Sequence, residues 1–249
     1  MRHENISIQW ISTFLNKGKR SVQEDSVLVD REKGIVVVAD GFGGPIAGVT
    51  ASQEACEAVK TFLFKGARDR DATLPFELRT YFSLAGNVLF NSLIFANRKL
   101  MNLNRGKTVH EKGGASVIAG YIDGDLLAIA NVGSCTAHIY RGGEHTSLVL
   151  PRTWSSLCDP FLKSHSDDFH IPLMALGIVN DLEPEILEYR LKKGDWITFE
   201  TDGLPFDTPS EIAAIQRKNL SPEQSAEQVS LFMKQHDFED NAAVSLMIL

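Results

Sequence analysis

The spacing of apolar residues along the chain switches between two periods. From Ile6 to Phe14, "ISIQWISTF" alternates apolar and polar positions as a half-buried strand does, and "SVLVD" and "GIVVVAD" read as two more strands. The period then lengthens. From Pro45 to about Phe64, Ala51, Ala55, Val59 and Phe62 fall at helical spacing, and Pro45 suits the first turn of a helix. After the charged break "GARDRDATLP", a second long helix is expected from about Phe76 to Leu103, where Leu, Phe, Ile and Met recur at helix-compatible intervals.

The block "ASVIAGYIDGDLLAIANVGSCTAHIYRGGEHTSLVL" is a series of short β runs punctuated by Asp-Gly, Val-Gly and Gly-Gly, which predicts an antiparallel meander. "PRTWSSLCDPFLKSHSDDFHIP" has no period and reads as a surface loop or a short irregular element. "PEILEYRL" and "DWITFETDG" return to strand character. "SEIAAIQRK" and "SPEQSAEQVSLFMKQ" read as helices with Ser as N-cap, and "AAVSLMIL" closes as a strand. Strands, two helices, many strands, two helices and a last strand do not alternate as βαβ units do. The order predicts α+β: antiparallel sheets covered by helices.

Length and composition narrow the function classes. The 249 residues fit one domain, 1–249, with a substantial core. A net charge of −7 without a block of Lys or Arg gives no hold for nucleic acid or an anionic membrane. Cys56, Cys135 and Cys158 lie far apart without a C-x-x-C pair, which fits neither a disulfide framework nor a thiolate zinc site. The start lacks a sustained apolar core and a small-residue cleavage site, and no stretch reaches the roughly 18 apolar residues of a membrane span. A soluble cytoplasmic protein is expected.

The chemistry lies in the carboxylates. Asp40 ends "IVVVAD" before Gly41, Asp202 ends "ITFETD" before Gly203, and Asp240 precedes Asn241 just ahead of "AAVSLMIL". Asp-Gly pairs are common in turns. If these strands are neighbours, however, the three side chains converge at one sheet edge, and their mutual repulsion calls for a cation. Glu24 and Asp25 in "QEDS" add two more acids beside a strand. Oxygen-only ligands suit Mg²⁺ or Mn²⁺, and a pair of such ions activates water for attack on phosphorus.

Arg20 to Asp25 as R-x-x-x-E-D, "VVVADGFGG" followed by "AGVTAS", "IANVGSCTAHIYRGGE", "ALG" at Ala175 to Gly177, "LKKGDWITFETDGL" and "DNAAVSLMI" together resemble, in order, the motifs of the metal-dependent Ser/Thr protein phosphatases of type 2C. The resemblance covers almost the whole chain. It implies two packed antiparallel β-sheets with two helices on each outer face, a four-layer α-β-β-α sandwich. It also implies two Mn²⁺ or Mg²⁺ ions, with Asp40 bridging them, the Gly41 carbonyl on the second, and Asp202 and Asp240 on the first. Glu24 and Asp25 then touch the cluster or orient its waters, and Arg20 binds phosphate, for which its planar fork is suited. The implied reaction is attack by a metal-bridging hydroxide on phosphoserine or phosphothreonine in proteins, without a phosphoenzyme. The implied setting is a stand-alone bacterial-type phosphatase opposing a Ser/Thr kinase.

Three departures from the family pattern stand out. Phe42 takes a place where some members carry a histidine. Ser134 and Cys135 replace the aspartate and serine that usually follow the glycine of "NVG", and Asp207 comes one position later than the acid expected after "DGL". A weakened or absent third metal site is the expected result. These departures also motivate an alternative, a catalytically impaired phosphatase-like domain that binds and regulates a phosphoprotein or signalling partner.

Other motifs carry less. "CTAHIYR" has the C-x₅-R spacing of cysteine-dependent phosphatases, but its alternation is that of a strand rather than of a phosphate-cradling loop. His138, His145, His165 and His170 share no helical spacing with a carboxylate and read as solvated or hydrogen-bonded. "GGPIAG" lacks the Lys-Ser/Thr of a phosphate loop, and Cys56 falls on a helical apolar face.

Overall fold

The computed structural model describes residues 6–68, 77–158 and 171–249, with side chains omitted at 65–68 and 158. The break after Arg68, the start expected near Phe76, much of the aperiodic stretch, His165, His170 and the Cys158 side chain lie outside the described residues.

The strands are β1 Trp10–Asn16, β2 Ser26–Asp30, β3 Ile35–Phe42, β4 Gly114–Asp123, β5 Leu126–Val132, β6 Thr136–Arg141, β7 Glu144–Val149, β8 Glu185–Arg190, β9 Trp196–Glu200 and β10 Ala242–Ile248. The helices are α1 Ala47–Arg68, α2 Leu84–Leu103, α3 Trp154–Cys158, α4 Thr208–Gln216 and α5 Pro222–Gln235. Two five-stranded sheets form, ordered β1-β10-β9-β6-β7 and β2-β3-β4-β5-β8. Every pairing is antiparallel, as the element order predicts.

Alternation along the strands sorts side chains into three apolar layers. Val37, Ala39, Ala119 and Ala130 face α1 and α2, among Ala55, Val59, Leu89 and Leu93. Val36, Val38, Ile118, Ile129, Ile197 and Phe199 meet between the sheets. Tyr140, Trp196, Val244 and Leu246 pack under α4 and α5 against Ile212, Val229 and Met233. This is the four-layer α-β-β-α sandwich. Cys56 is a core residue of the first layer, as its helical position predicts.

Four local expectations are corrected. The second long helix begins at Leu84, because Ser83 caps it by accepting the Gly86 amide and Asn87 Nδ2 donates to the carbonyls of Arg79, Phe82 and Ser83, holding the preceding turn out of the helix. Helix α4 begins at Thr208 with Pro209 in its first turn, so Ser210 lies inside it, whereas Ser221 caps α5 with a full capping box to Gln224. The predicted meander is two hairpins in different sheets: β4–β5 belongs to one and β6–β7 to the other. The crossing at Gly133 needs glycine, with φ at +102° and the Ser116 hydroxyl 2.3 Å from where a Cβ would stand. Strand β3 also runs past Asp40 to Phe42, pairing Asp40 with Ser116 and Gly41 with Ala115, so the turn starts at Gly43.

Candidate active site

In β3, Val36 and Val38 face the other sheet, so the period of two turns Asp40 the same way, at the open end of the space between the sheets. Strands β9 and β10 pair antiparallel with Val244 opposite Glu200, which sets the residues just after β9 beside those just before β10. The segments that carry Asp202 and Asp240 therefore run side by side. Asp25 stands one residue ahead of β2, whose Ser26 pairs with Ala39 beside Asp40. The fold brings Asp40, Asp202 and Asp240, the three expected to converge, to one sheet edge, with Asp25 beside them.

Electrostatics register the crowding. Burial holds Asp40 well above the ordinary carboxylate range, and the charges of Asp202, Asp25 and Asp240 push it the same way. Asp25 is pushed up to about 7, first by burial and then by Asp202 and Asp240, against the opposing effect of a Thr201 hydroxyl that donates to it at 2.9 Å. Asp25 and Asp40 are themselves hydrogen-bonded. Glu24 is raised by burial, and Arg20 offsets part of that. The Arg20 guanidinium, exposed at the rim, donates from Nη2 to Asp240 Oδ2 at 2.5 Å.

Glycine at 41 has a steric cause: a Cβ there would stand 2.2 Å from the Gly48 carbonyl oxygen and 2.7 Å from that of Glu24. The cause is close approach of three backbone segments at a position inside a strand. At Gly203 a Cβ would stand 1.8 Å from the Asn241 carbonyl oxygen.

The fit to a hard divalent cation rests on this chemistry. The donors are carboxylate oxygens with mutual repulsion, and Glu24 Oε1 is buried without a hydrogen-bond partner. Among the described residues no three His, Cys, Asp or Glu side chains form a ready-made metal-holding group. Mg²⁺-type sites are built on few carboxylates completed by waters, so the donor set fits such an ion.

Residues the sequence left aside also belong here. Thr201 joins Asp25 to β10, accepting the Ala243 amide at 2.8 Å. Asn241 accepts the Glu24 amide at 2.7 Å and donates to Lys17 and Val22 carbonyls at 2.8 and 3.0 Å. The Asp-Asn pair ahead of a strand was the signal; its reach across the chain was not in it.

The departures take definite positions. Ser134, buried, donates to the Ser116 hydroxyl at 3.1 Å, Phe42 packs beside Gly114, and Asp207 takes the N-cap position of α4 without a side-chain cap bond. Cys135 is wholly buried, and burial pushes its thiol up, with Asp40, Asp202 and Asp25 adding to the shift. The C-x₅-R segment is strand β6, and its arginine forks onto Asp195 at 2.7 Å from both Nε and Nη2. His138 lies beneath α4, with Nε2 3.6 Å from Glu200 Oε2. A cleft of about 480 Å³ opens between Gly43, Gly44 and Ile46 on one side and Leu100, Leu103 and Asn104 on the other, and none of the clustered aspartates lines it. No helix among the described residues is long and apolar enough to cross a membrane.

Neither a protein-family model nor a curated protein sequence matches the chain. Solved structures do. The S. agalactiae serine/threonine phosphatase superposes with a TM-score of 0.77 at 23% identity, covering 96% of this chain and 99% of its own. The PPM Ser-Thr phosphatase MsPP from Mycobacterium smegmatis, solved with cacodylate, gives 0.73 at 20%, covering 98% and 100%. The catalytic domain of the phosphatase PstP, solved with 2 manganese ions, gives 0.73 at 21%, covering 96% and 98%. The chain thus has the α+β sandwich fold of the PPM serine/threonine phosphatases over nearly its whole length.

Proposed function

We propose that this protein is a metal-dependent protein-serine/threonine phosphatase, a single catalytic domain that hydrolyses phosphoserine and phosphothreonine in protein substrates. The observation that carries the reading is the gathering of Asp25, Asp40, Asp202 and Asp240 at one sheet edge with Arg20 at its rim. Fold alone does not fix function, so the chemistry of this corner is the argument.

Asp40, the Gly41 carbonyl, Asp202 and Asp240 are the proposed holders of two Mn²⁺ or Mg²⁺ ions, with Glu24 and Asp25 in support. When bound, such ions acidify water and neutralise negative charge on a phosphoryl group. Arg20 presents a planar fork to the phosphate oxygens from the exposed rim. No side-chain nucleophile is required, which agrees with the burial of Cys135 and the Ser134–Ser116 bond. Ser134 in place of an acid, together with the position of Asp207, supports a weakened or absent third metal site. The free buried thiols of Cys56 and Cys135 suit a reducing compartment, the cytoplasm, where a Ser/Thr kinase would supply the phosphoprotein.

The test is phosphate release from a phosphothreonine peptide with and without Mn²⁺, comparing wild type with Asp202→Ala and Cys135→Ser. Metal-dependent release that is lost in Asp202→Ala and kept in Cys135→Ser supports the reading. A folded protein inert with every divalent ion would favour the alternative, a phosphatase-like domain that binds a phosphoprotein or signalling partner.

A further inference from the structure

We infer that Asn241 is a positioning residue that sets where Arg20 meets phosphate, an inference that rests on the phosphatase reading above. Arg20 lies on the segment between β1 and β2, which has little structure of its own. Within it, the Arg20 amide donates to the Lys17 carbonyl at 3.2 Å, and the Asp25 amide to the Gln23 side chain at 3.0 Å. An exposed arginine on so loose a loop samples many directions unless the loop is tied elsewhere.

The ties come from the turn before β10. The Lys19 amide donates to the Phe238 carbonyl at 3.1 Å. Gly18 lies so close to this turn that a Cβ would stand 2.3 Å from the Asp240 carbonyl oxygen. The Asn241 side chain provides three bonds, one to Lys17 on the near side of Arg20 and two to Val22 and Glu24 on the far side. Arg20 is held in a clamp.

Only an amide of this length does this. Its oxygen accepts while its nitrogen donates twice; aspartate has no donors, and glutamine is one methylene longer. Asn241 is 6% exposed, so its bonds are made away from competing water. Its own amide donates to Asp240 Oδ1 at 2.7 Å, and Asp240 Oδ2 receives Arg20. One residue thus fixes both the loop that carries the arginine and the carboxylate it lies against.

The experiment is calorimetric titration of inorganic phosphate into the Mn²⁺-loaded protein, for wild type, Asn241→Ala, Asn241→Asp, Arg20→Ala and the double variant Arg20→Ala/Asn241→Ala. Amide hydrogen exchange at Glu24 is followed in parallel. Loss of the clamp is expected to weaken phosphate binding about tenfold and to release the Glu24 amide to exchange. Asn241→Asp, which lacks the two donors, is expected to weaken binding nearly as much, and it carries the comparison if Asn241→Ala does not fold. The double variant is expected to bind no more weakly than Arg20→Ala, since no arginine remains to be misplaced. Losses that multiply, or phosphate affinity unchanged in both Asn241 variants, overturn the inference. Wild type that binds phosphate in this pattern yet releases none from a phosphothreonine peptide leaves the clamp standing and ends the phosphatase reading. Wild type that binds no phosphate ends both.

Discussion

The Thr201 hydroxyl donates to Asp25 at 2.9 Å while accepting the Ala243 amide at 2.8 Å, so one side chain ties a buried carboxylate of the first loop to the last strand. Both partners are withdrawn from solvent, and neither finds water if the hydroxyl is lost. Thr201→Val keeps the shape and removes the polar atom. It is expected to destabilise the fold by about 1 to 3 kcal/mol, the cost of leaving buried polar groups unpaired. Urea unfolding of the variant checks this; a change under about 0.5 kcal/mol would mean that water reaches Asp25.

Gly41 is the tightest point of the candidate site on its β3 side. Gly41→Ala forces a methyl to within 2.2 Å of the Gly48 carbonyl oxygen and 2.7 Å of that of Glu24, both backbone atoms that cannot rotate away. Strand β3, the start of α1 or the Glu24 loop must move. A loss of at least about 2 kcal/mol is expected, with the proposed phosphatase activity falling further than the loss of folded protein accounts for, because Asp40 is the adjacent residue. Chemical denaturation and peptide turnover on the same preparation separate the two effects.

The fold was legible where its signals are local. The continuous apolar run in "GIVVVAD", the helical spacing of Ala51, Ala55 and Val59, and the Ser221 cap each depend on neighbours within a few residues, and each holds. Convergence of the aspartates was conditional on strand adjacency, and the β9–β10 pairing meets that condition for Asp202 and Asp240. What stayed hidden is long-range. Val132-Gly133 reads as a hairpin turn whether the chain stays in its sheet or leaves it, so the crossing between sheets was missed. Asn241 acts on residues 217 and 224 positions away, at a distance no spacing rule covers. The start of α2 was lost because the Asn87 side chain, not a propensity, holds the preceding turn.

Asp40 shares its corner with Asp25, Asp202 and Asp240, and their charges together with burial oppose its ionisation. Asp40→Asn preserves the shape and removes one charge. Without added metal at neutral pH, the variant is expected to be more stable than wild type, because the repulsion it relieves has no cation to offset it. Saturating Mn²⁺, at about 100 times its dissociation constant, should stabilise wild type by about 2.7 kcal/mol and the variant far less. Thermal scans with Mn²⁺ and with chelator decide the matter. Equal Mn²⁺ shifts in both proteins would remove Asp40 from the proposed ligands.

His138 and Glu200 lie 3.6 Å apart under α4, and burial acts on them in opposite senses. It lowers His138 from 6.5 to about 4, with His145 adding to the shift, and raises Glu200 from 4.5 to about 7. For His138 the folded state binds fewer protons than the unfolded state between about 4 and 6.5, so its contribution to stability grows as pH rises through that window. For Glu200 the folded state binds more between 4.5 and about 7, so its contribution is full below 4.5 and lost as pH rises to about 7. From 4.5 to 6.5 the two slopes oppose each other. His138→Gln removes the first and exposes the second. The variant is expected to lose on the order of 2 kcal/mol more than wild type as the pH rises from about 5 to 7. In thermal unfolding that is a drop of about 4 to 8 °C relative to the wild-type profile. A variant whose profile parallels wild type would show that His138 binds protons alike in the folded and unfolded protein, and one that loses less than wild type would show that Glu200 holds it protonated.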